Sequence, residues 1–294
     1  MRIFLTGATG FIGSAVSAQL IAAGYEVTGL TRSRQGAEVL AASGIEPFFG
    51  DIANPESLSR GVSMCDGVIH TAFNHDFSTF SANCETDRLV IEEIAKVLKG
   101  TNRPMLITSA VSLGSAGPGI MATENDFNTA HVNLRKASEL AGLAALHNGV
   151  NVSVIRLSQV HNASKQGLIT PLIDVARKTG ISAYIAGDEI RWSAVHLDDA
   201  AHLYILALNK AAPGSRYHAV AEEGITLRAI AETIGDILNV PVKRIELSEA
   251  AEHFGWLSKF VAQDMSASSS LTQQLLGWQP TGPDLMTDLK QMQL

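Results

Sequence analysis

A glycine-rich segment directly after the first apolar run constrains this chain more than any other feature. The run Arg2–Thr6 leads into Thr6-Gly7-Ala8-Thr9-Gly10-Phe11-Ile12-Gly13, and apolar residues at helical spacing follow. Gly7 permits a tight turn, Gly10 lets a phosphate approach the backbone, and Gly13 lets the helix pack close to the strand. Unpaired N–H groups at a helix N-terminus attract anions. The segment therefore predicts a dinucleotide-binding loop.

Six candidate strands alternate with helical patterns over the first 157 residues. They are Arg2–Thr6, Glu26–Leu30, Glu46–Phe49, Gly67–Thr71, Met105–Ser109 and Val152–Leu157. Stretches such as Val68-Ile69 and Val154-Ile155 are apolar rather than alternating, which is typical of parallel strands buried on both faces. Parallel strands need helical crossovers, and right-handed crossovers cover both faces of the sheet. We therefore predict an α/β fold with a doubly wound parallel sheet of the Rossmann type.

The alternation of strands and helices becomes less regular after Leu157. We expect residues 1–157 to form a cofactor-binding Rossmann domain and residues 158–294 a smaller α+β substrate lobe, with a segment near 193–220 returning to the first domain. Helices are predicted near Leu168–Lys178, Leu227–Leu238 and Ser248–Val261. A ligand cleft would lie between the two parts, at the carboxyl ends of the strands.

The residues after the second strand bear on the choice of cofactor. An acidic residue at this place would bind the ribose diol of NAD, but the chain has Thr31-Arg32-Ser33-Arg34. Guanidinium groups suit a 2′-phosphate, so the sequence favours NADP, although Arg32 and Arg34 are alternatively solvated loop charges. Asp51 and Ile52 follow the third strand, where Asp51 either accepts from the adenine amino group or caps a helix beginning near Pro55.

The overall composition narrows the class of protein and its partners. The chain has 22 Lys and Arg against 29 Asp and Glu, a net charge of -7, which gives no basic surface for nucleic acid or an anionic membrane. The sequence contains no uninterrupted apolar stretch of about 18 residues, the length that a membrane span needs. Two cysteines without metal-site spacing favour a reducing compartment. We expect a cytoplasmic protein that binds a small molecule.

Seven motifs in order resemble the extended and atypical short-chain dehydrogenase/reductase family, which includes the NAD-dependent epimerase/dehydratase proteins. They are TGATGFIG, GDIANPESL, VIHTAF, ITSAVSLG, RKASE, VIRLSQVH and RWSAVHLDDAAHLYILAL. The resemblance implies a Rossmann domain with a small C-terminal substrate lobe. It also implies cofactor contacts from Thr71, Ala72 and Phe73, and nicotinamide contacts from the loop that begins at Leu157.

The same resemblance implies a catalytic set of Ser or Thr, Tyr and Lys, and this chain departs from it. Ser109 matches the serine position, but the tyrosine is missing. A Glu commonly follows the family's lysine by four residues, and Glu139 follows Arg135 at that spacing. This register gives the pair His131 and Arg135 on one helix face. A register shifted by one residue pairs Val132 with Lys136 and leaves no proton donor.

His131 is a physically reasonable replacement for the tyrosine, with one reservation. Histidine acts as a general acid near neutral pH because its ordinary pKa is about 6.5. A neighbouring Arg135 guanidinium disfavours the imidazolium, however, and His131 is alternatively a surface residue without a catalytic role. Arg135 can donate hydrogen bonds to ribose hydroxyls in either case.

Other polar and aromatic residues have weaker claims to the site. By resemblance Asn83 lies near the active site; alternatively it is the N-cap of the following helix. Asp87, about one turn later, faces either the cleft or solvent. Asp198 and Asp199 are expected to cap the next helix. Trp192 could wall a substrate pocket. Further candidates are Asn74, His75, Asp76, His161, Tyr184 and Trp256.

Three functions follow from these patterns. The first is an NADP-dependent oxidoreductase that transfers hydride to or from a small carbonyl or alcohol. The second is sugar-nucleotide epimerisation or dehydration, which needs the missing tyrosine and a cationic cluster. The third, from another class, is an NADP-binding redox sensor or regulatory protein without turnover. Related proteins often pair as homodimers through helices corresponding here to 83–98 and 128–147.

Overall fold

The central sheet follows from the strand pattern of the sequence. The computed structural model describes residues 1–186 and 190–292. Its strands in chain order are β1 (Arg2–Thr6), β2 (Glu26–Thr31), β3 (Glu46–Phe49), β4 (Gly67–His70), β5 (Met105–Ala110), β6 (Val152–Leu157), β7 (Gln159–Asn162), β8 (Lys165–Gln166), β9 (Ser182–Ile185), β10 (Arg191–His196), β11 (Arg216–Ala219), β12 (Glu222–Thr226) and β13 (Val242–Ile245). The first six confirm the predicted strands within one residue at each end.

Seven of these strands form one parallel sheet in the order β11-β6-β5-β4-β1-β2-β3. From β1 the chain adds β2 and β3 on one side of the sheet. It then crosses to the other side of β1, where it adds β4, β5, β6 and finally β11. The crevice between β1 and β4 at the carboxyl edge is therefore the place where a doubly wound sheet binds ligands. The predicted Rossmann-type sheet is confirmed.

Helices cover both faces of this sheet. In chain order they are α1 (Phe11–Ala22), α2 (Arg34–Ala42), α3 (Ser59–Ser63), α4 (Phe80–Leu98), α5 (Lys136–His147), α6 (Ile169–Thr179), α7 (Leu197–Lys210), α8 (Leu227–Leu238), α9 (Ala250–Phe254), α10 (Ser258–Val261), α11 (Ser270–Leu276) and α12 (Leu285–Gln291). One buried apolar cluster joins the sheet to α1, α2 and α7, and another joins it to α3, α4 and α5. Burial on both faces explains the apolar stretches of the strands.

The C-terminal region has its own core and two small sheets. A four-stranded sheet has the order β12-β10-β7-β8, and β9 pairs with β13. A third apolar cluster lies among α6, α8, α12 and the short helices α9 and α10. The segment 193–220 supplies α7 and β11 to the large sheet. None of the helices that the structure describes combines the length and apolar character needed to cross a membrane.

Two sequence-based helix predictions are wrong in extent. The predicted helix from residue 128 begins only at Lys136, because residues 128–135 form successive turns held by Asn128 and Asn133 side chains that accept from backbone N–H groups. The predicted helix Ser248–Val261 is broken at Gly255, whose φ of 57° lies outside the helical range. Neither break leaves a strong signal in the apolar periodicity.

Candidate active site

An open cleft runs along the carboxyl edge of the large sheet and under the C-terminal region. It encloses about 1160 Å³. The predicted site residues that line it are Gly7, Thr9, Gly10, Phe11, Ile12, Gly13, Thr31, Arg32, Ser33, Asp51, Ile52, Thr71, Ala72, Phe73, Ser109, Arg135 and Leu157. Arg34 and His131 are not among the lining residues. A single long cleft therefore collects the predicted cofactor residues and Ser109.

The glycine loop is packed so tightly that side chains are excluded from it. Gly7 has a φ of 73°, and a Cβ there would lie 2.8 Å from the backbone N of Ala72. A Cβ on Gly13 would lie 2.1 Å from the carbonyl O of Gly7, so the first turn of α1 rests directly on the loop. Both glycines serve the close approach of strand, turn and helix.

The N-terminus of α1 is available to a ligand. Gly10 is its N-cap, and no side chain caps the helix. The first N–H groups of a helix have no partner within the helix, and those of α1 face the cleft beside Thr9, Phe11 and Ile12. Together with the helix dipole they suit a phosphate. The residues present thus fit the pyrophosphate of a dinucleotide.

The residues that follow β2 and β3 lie at the far end of the cleft. Arg32 and Ser33 line it, whereas Arg34 begins α2 and is exposed. Ser33 caps α2 by accepting from the N–H of Gly36 at 3.0 Å. Neither arginine forms an ion pair within the described residues. Arg32 is thus a cation that borders the cleft without a competing carboxylate.

Asp51 also borders this end, but the capping role considered for it is wrong. The helical turn after it is a 3₁₀ turn, Pro55–Leu58, with Asn54 as N-cap. The Asp51 Oδ1 accepts instead from the N–H of Ala53 at 3.0 Å. Its second carboxylate oxygen has no recorded hydrogen bond within the described residues, which leaves an acceptor at the mouth of the cleft.

A buried hydrogen-bond chain fixes the loop opposite the glycines. Thr71 Oγ1 donates to the carbonyl O of Thr6 at 2.7 Å, and the N–H of Ala72 donates to Thr6 Oγ1 at 3.2 Å. Thr6 Oγ1 also lies 2.7 Å from Nδ1 of the buried His70, whose Nε2 lies 3.1 Å from Asp87 Oδ1. An ionised carboxylate accepts only, so Nε2 of His70 carries a proton and donates to Asp87.

Asp87 occupies the centre of this chain and faces neither the cleft nor solvent. Its other oxygen accepts from Ser138 and lies 3.1 Å from Nη1 of Arg135. Burial alone would raise the pKa of Asp87, but the Arg135 guanidinium and the hydrogen bonds of His70 and Ser138 outweigh it and lower the pKa to about 2. Asp87 therefore stays ionised and holds Arg135 electrostatically.

Arg135 links this buried chain to the cleft. Its Nη2 donates to the carbonyl O of Thr108 at 2.8 Å, and its guanidinium carbon lies 4.0 Å from the centre of the Phe73 ring. Nη1 is close to Asp87 but off the line of a hydrogen bond, so this buried N–H group has no recorded hydrogen-bond partner. Of the two candidates for the family's lysine position, Arg135 lines the cleft and Lys136 does not.

Ser109 lines the cleft and carries a buried, unpaired hydroxyl. The residue is 4% exposed and lies near the carboxyl end of β5. Its Oγ has no hydrogen-bond partner among the described residues. A buried hydroxyl without a partner costs free energy, and such atoms in native proteins are commonly completed by a ligand or water.

His131 lies apart from these groups. The i, i+4 helical geometry assumed for His131 and Arg135 is wrong, because both precede α5. The His131 Nδ1 accepts from the N–H of Asn133 at 3.0 Å, and burial and the nearby Lys136 charge lower its pKa. Asn133 lines the cleft in its place, while Val132 is 75% exposed.

The weaker candidates divide between cleft and core. Asn83 lies within α4 and donates to the carbonyl groups of Asn74 and Asp76, so it orders the loop beside the cleft and is not an N-cap. Trp192 is fully buried in the C-terminal core and does not line the cleft, so the pocket role considered for it is wrong for this site. Trp256, in contrast, lines the cleft.

The remaining candidates of the C-terminal region cap or pack against neighbouring elements and lie away from the cleft. His196, and neither Asp198 nor Asp199, is the N-cap of α7. The Asp199 carboxylate accepts from the N–H groups of Thr281 and Gly282. His161 is fully buried, with Nδ1 2.6 Å from Asp288, and Tyr184 lies in β9. Neither His161 nor Tyr184 lines the cleft.

Sequence reasoning missed Thr6, His70, Thr108, Asn133 and the phenylalanines near Trp256. The signal for His70 was weak, since it ends an apolar strand and is a common core residue. Thr108 precedes Ser109 and was not distinguished from a strand residue. Within the part of the chain that the structure describes, no three His, Cys, Asp or Glu side chains are placed to hold a metal ion.

Comparison with known proteins agrees with this geometry. The profile of the NAD dependent epimerase/dehydratase family matches residues 3–220. An uncharacterized protein of Schizosaccharomyces pombe is 48% identical over 290 residues, 98% of both chains. A 4-hydroxy-2-methyl-3-oxo-4-farnesyl-3,4-dihydroquinoline-1-oxide ketoreductase of Stigmatella aurantiaca is 25% identical over 302 residues, 96% of this chain and 88% of that protein.

A solved structure shows the same fold at lower identity. It is a double mutant of the dTDP-glucose 4,6-dehydratase DesIV of Streptomyces venezuelae with NAD bound, at 20% identity and a TM-score of 0.77, covering 99% of this chain and 95% of that one. The profile covers the glycine loop, the β4 and β5 loops and most of the large sheet. The chain belongs to the NAD-dependent epimerase/dehydratase family, within the extended short-chain dehydrogenases/reductases.

Proposed function

We propose that this protein is an NADP-dependent oxidoreductase that interconverts a small carbonyl compound and its alcohol. The observation that carries the proposal is Ser109, a residue that lines the dinucleotide cleft and whose buried hydroxyl has no hydrogen-bond partner among the described residues. A hydroxyl so placed can donate a hydrogen bond to a substrate oxygen. The ketoreductase of Stigmatella aurantiaca supports the reaction class by similarity.

Residues along the cleft would hold the cofactor. The loop from Gly7 to Gly13 and the N-terminus of α1 would bind the pyrophosphate, Arg32 the 2′-phosphate, and Asp51 the adenine amino group. The Arg135 guanidinium, which borders the cleft, would donate to a ribose hydroxyl. When bound, the nicotinamide dinucleotide supplies or accepts the hydride.

The protein's contribution to the chemical step is the stabilisation of charge on oxygen. Addition of hydride to the carbonyl carbon breaks the C=O π bond and leaves the electron pair on oxygen. The Ser109 hydroxyl would donate to this oxygen more strongly as the charge develops. The guanidinium of Arg135, bonded to the carbonyl of the neighbouring Thr108, adds a positive field. The proton that completes the alcohol would come from water in the open cleft.

The first experiment measures NADPH oxidation against a panel of aldehydes and ketones. Ser109→Ala should lower kcat/KM by about 100-fold, the usual effect of removing one donor to a developing oxyanion, while the Kd for NADPH stays unchanged. His131→Phe is the matched control, since His131 does not line the cleft. Equal losses in both variants would contradict the role given to Ser109.

A second experiment addresses the cofactor. Removal of a charge-assisted hydrogen bond to phosphate in Arg32→Ala should raise the Kd for NADPH by about 10-fold or more and leave that for NADH unchanged. Arg34→Ala is the control, because Arg34 is exposed outside the cleft. If Arg32→Ala leaves the ratio of the two constants unchanged, the preference for NADP is wrong.

A binding protein without turnover is the second candidate. It is favoured by the cleft lining, which among the described residues includes no tyrosine. Tight NADPH binding with no turnover of any carbonyl compound would select this function over the reductase. Sugar-nucleotide chemistry has less support, because Lys165 is the one cation that the described C-terminal residues contribute to the lining. A sugar nucleotide would need more cationic side chains to bind its diphosphate.

We include a cytoplasmic location and a homodimer in the proposal. Cys65 and Cys84 are both free and buried, which suits a reducing compartment. Exposed apolar side chains on the paired helices α4 and α5, Leu89 and Leu140, support association through these helices. Sedimentation equilibrium of the purified protein tests the dimer: a mass of 31.2 kDa would contradict it.

A further inference from the structure

Four aromatic side chains from two separate parts of the chain meet at the substrate end of the cleft. Phe77 and Phe80 come from the segment after β4, and Trp256 and Phe260 come from the C-terminal region. Phe77 stacks on Trp256 with ring centres 4.3 Å apart and planes 10° apart. Phe260 packs edge to face against Phe77 and Phe80 at 5.6 and 6.3 Å. We call these four residues the aromatic wall.

The aromatic wall is continuous with the position of the reacting carbonyl. Phe80 contacts Phe73 at 6.1 Å between ring centres, and the Phe73 ring lies under the Arg135 guanidinium. Arg135 donates to the carbonyl O of Thr108, the residue before Ser109. Contacts through Arg135 and Phe73 therefore connect Thr108, the residue before Ser109, to the aromatic wall.

The rings are not a sealed core. Trp256 is 42% exposed, and all four residues line the cleft. Aromatic rings attract further rings beyond simple area burial, because the negative face of one meets the positive edge of another. The exposed Trp256 and the three phenylalanines beside it can therefore pack against an aromatic ring of a ligand.

A histidine that packs against the wall is uncharged at neutral pH. His75 packs edge to face on Phe73 and Phe77, and it is exposed to the cleft. The surrounding protein, together with the positive charges of Arg135 and Lys165, lowers the pKa of His75 below its ordinary value. His75 therefore offers no positive charge to an anionic substrate at the wall.

We propose that the aromatic wall binds the ring of a planar aromatic aldehyde or ketone whose carbonyl oxygen is held by Ser109. The proposal rests on the reductase function for the reaction, but the binding preference stands without it. The substrate class is thus an aryl carbonyl compound, and its saturated ring counterpart of similar size should bind less well because it lacks the π faces.

A binding experiment tests the wall independently of turnover. Benzamide and cyclohexanecarboxamide carry the same carbonyl group on a planar and a saturated ring, and neither is reduced by a nicotinamide. Their Kd values for the protein saturated with NADP⁺ can be followed by tryptophan emission, since Trp192 and Trp278 are 0% and 1% exposed and Trp256 is the accessible one. Benzamide should bind roughly 3- to 10-fold more tightly.

Substitutions in the aromatic wall test whether it causes the preference for the planar ring. Phe77→Leu and Phe260→Leu keep apolar bulk and should bring the ratio of the two Kd values close to one. Phe49→Leu is the matched control, because that ring is 58% exposed and does not line the cleft, and it should keep the wild-type ratio. Equal Kd values for both amides in the wild-type protein would overturn the proposal, as would an unchanged ratio in both wall variants.

Turnover separates this inference from the proposed function. NADPH oxidation with benzaldehyde should exceed that with cyclohexanecarboxaldehyde by a similar factor in kcat/KM. Tighter binding of benzamide with no turnover of either aldehyde would leave the aromatic wall established and the reductase function wrong. Turnover of both aldehydes with equal kcat/KM, and equal binding of both amides, would leave the function intact and the aromatic wall wrong.

Discussion

Replacing Asp87 by asparagine tests the buried hydrogen-bond chain that holds Arg135 beside the cleft. The substitution keeps the size of the side chain and removes its charge. The asparagine oxygen can still accept from His70, but the amide group then faces the donors of Arg135. A buried guanidinium thereby loses its counter-ion, because Arg135 is only 12% exposed and lies 3.1 Å from the carboxylate.

The expected cost follows from two arguments that agree. A pKa lowered from 3.8 to about 2 corresponds to roughly 2–3 kcal/mol of preference for the ionised form. Removing one partner of a buried ion pair usually costs about 3–5 kcal/mol, and the lower end applies here because Arg135 borders the open cleft. We expect a loss of about 3 kcal/mol in the free energy of unfolding, and a fall of about 5 °C in Tm for a domain of this size.

Urea unfolding at neutral pH measures this loss, and a double-mutant cycle with Arg135→Met isolates the pair. The loss in the free energy of unfolding of the double variant should be smaller than the sum of the losses of the two single variants by at least about 1 kcal/mol. The dependence on pH has a definite sign. Since the folded-state pKa is lowered, the contribution is complete above about pH 4 and is lost as the pH falls toward about 2. A coupling energy below about 0.5 kcal/mol would refute the reasoning.

Three further predictions concern the loop and the core. Gly13→Ala should abolish NADPH binding or folding, because its Cβ would lie 2.1 Å from the Gly7 carbonyl; a normal Kd by NADPH titration would contradict this. Glu139→Gln should cost about 3–5 kcal/mol in urea unfolding, since it leaves the fully buried Arg156 guanidinium without its carboxylate partner. His218 accepts from Arg156, and burial and that charge lower its pKa to about 3. The unfolded chain takes up this proton first, so stability should fall as the pH drops below about 6.5, and His218→Gln should flatten that profile.

The parallel strands and the glycine loop could be predicted because local sequence decides them. Short, predominantly apolar runs identify the buried strands within one residue, as for Arg2–Thr6 and Val152–Leu157. Gly13 is required by its contact with the neighbouring Gly7 carbonyl, and the positive φ of Gly7 belongs to the same turn, although Gly7 also packs against Ala72 of the loop after β4. The helix start at Lys136 could not be predicted, because side-chain hydrogen bonds of Asn128 and Asn133 compete with helix formation there.

By itself the sequence determined the doubly wound sheet and its dinucleotide loop, since each depends on a short segment and on the rule that parallel strands share a carboxyl edge, and Ser109 came from the resemblance to the family. The tertiary structure alone decided that Asp87 is buried against Arg135, that His131 is outside the cleft, and that Phe77 meets Trp256. Those relations join residues far apart in the chain. Packing and the free-energy cost of burying charge select these contacts, and neither depends on how far apart the residues lie in the sequence.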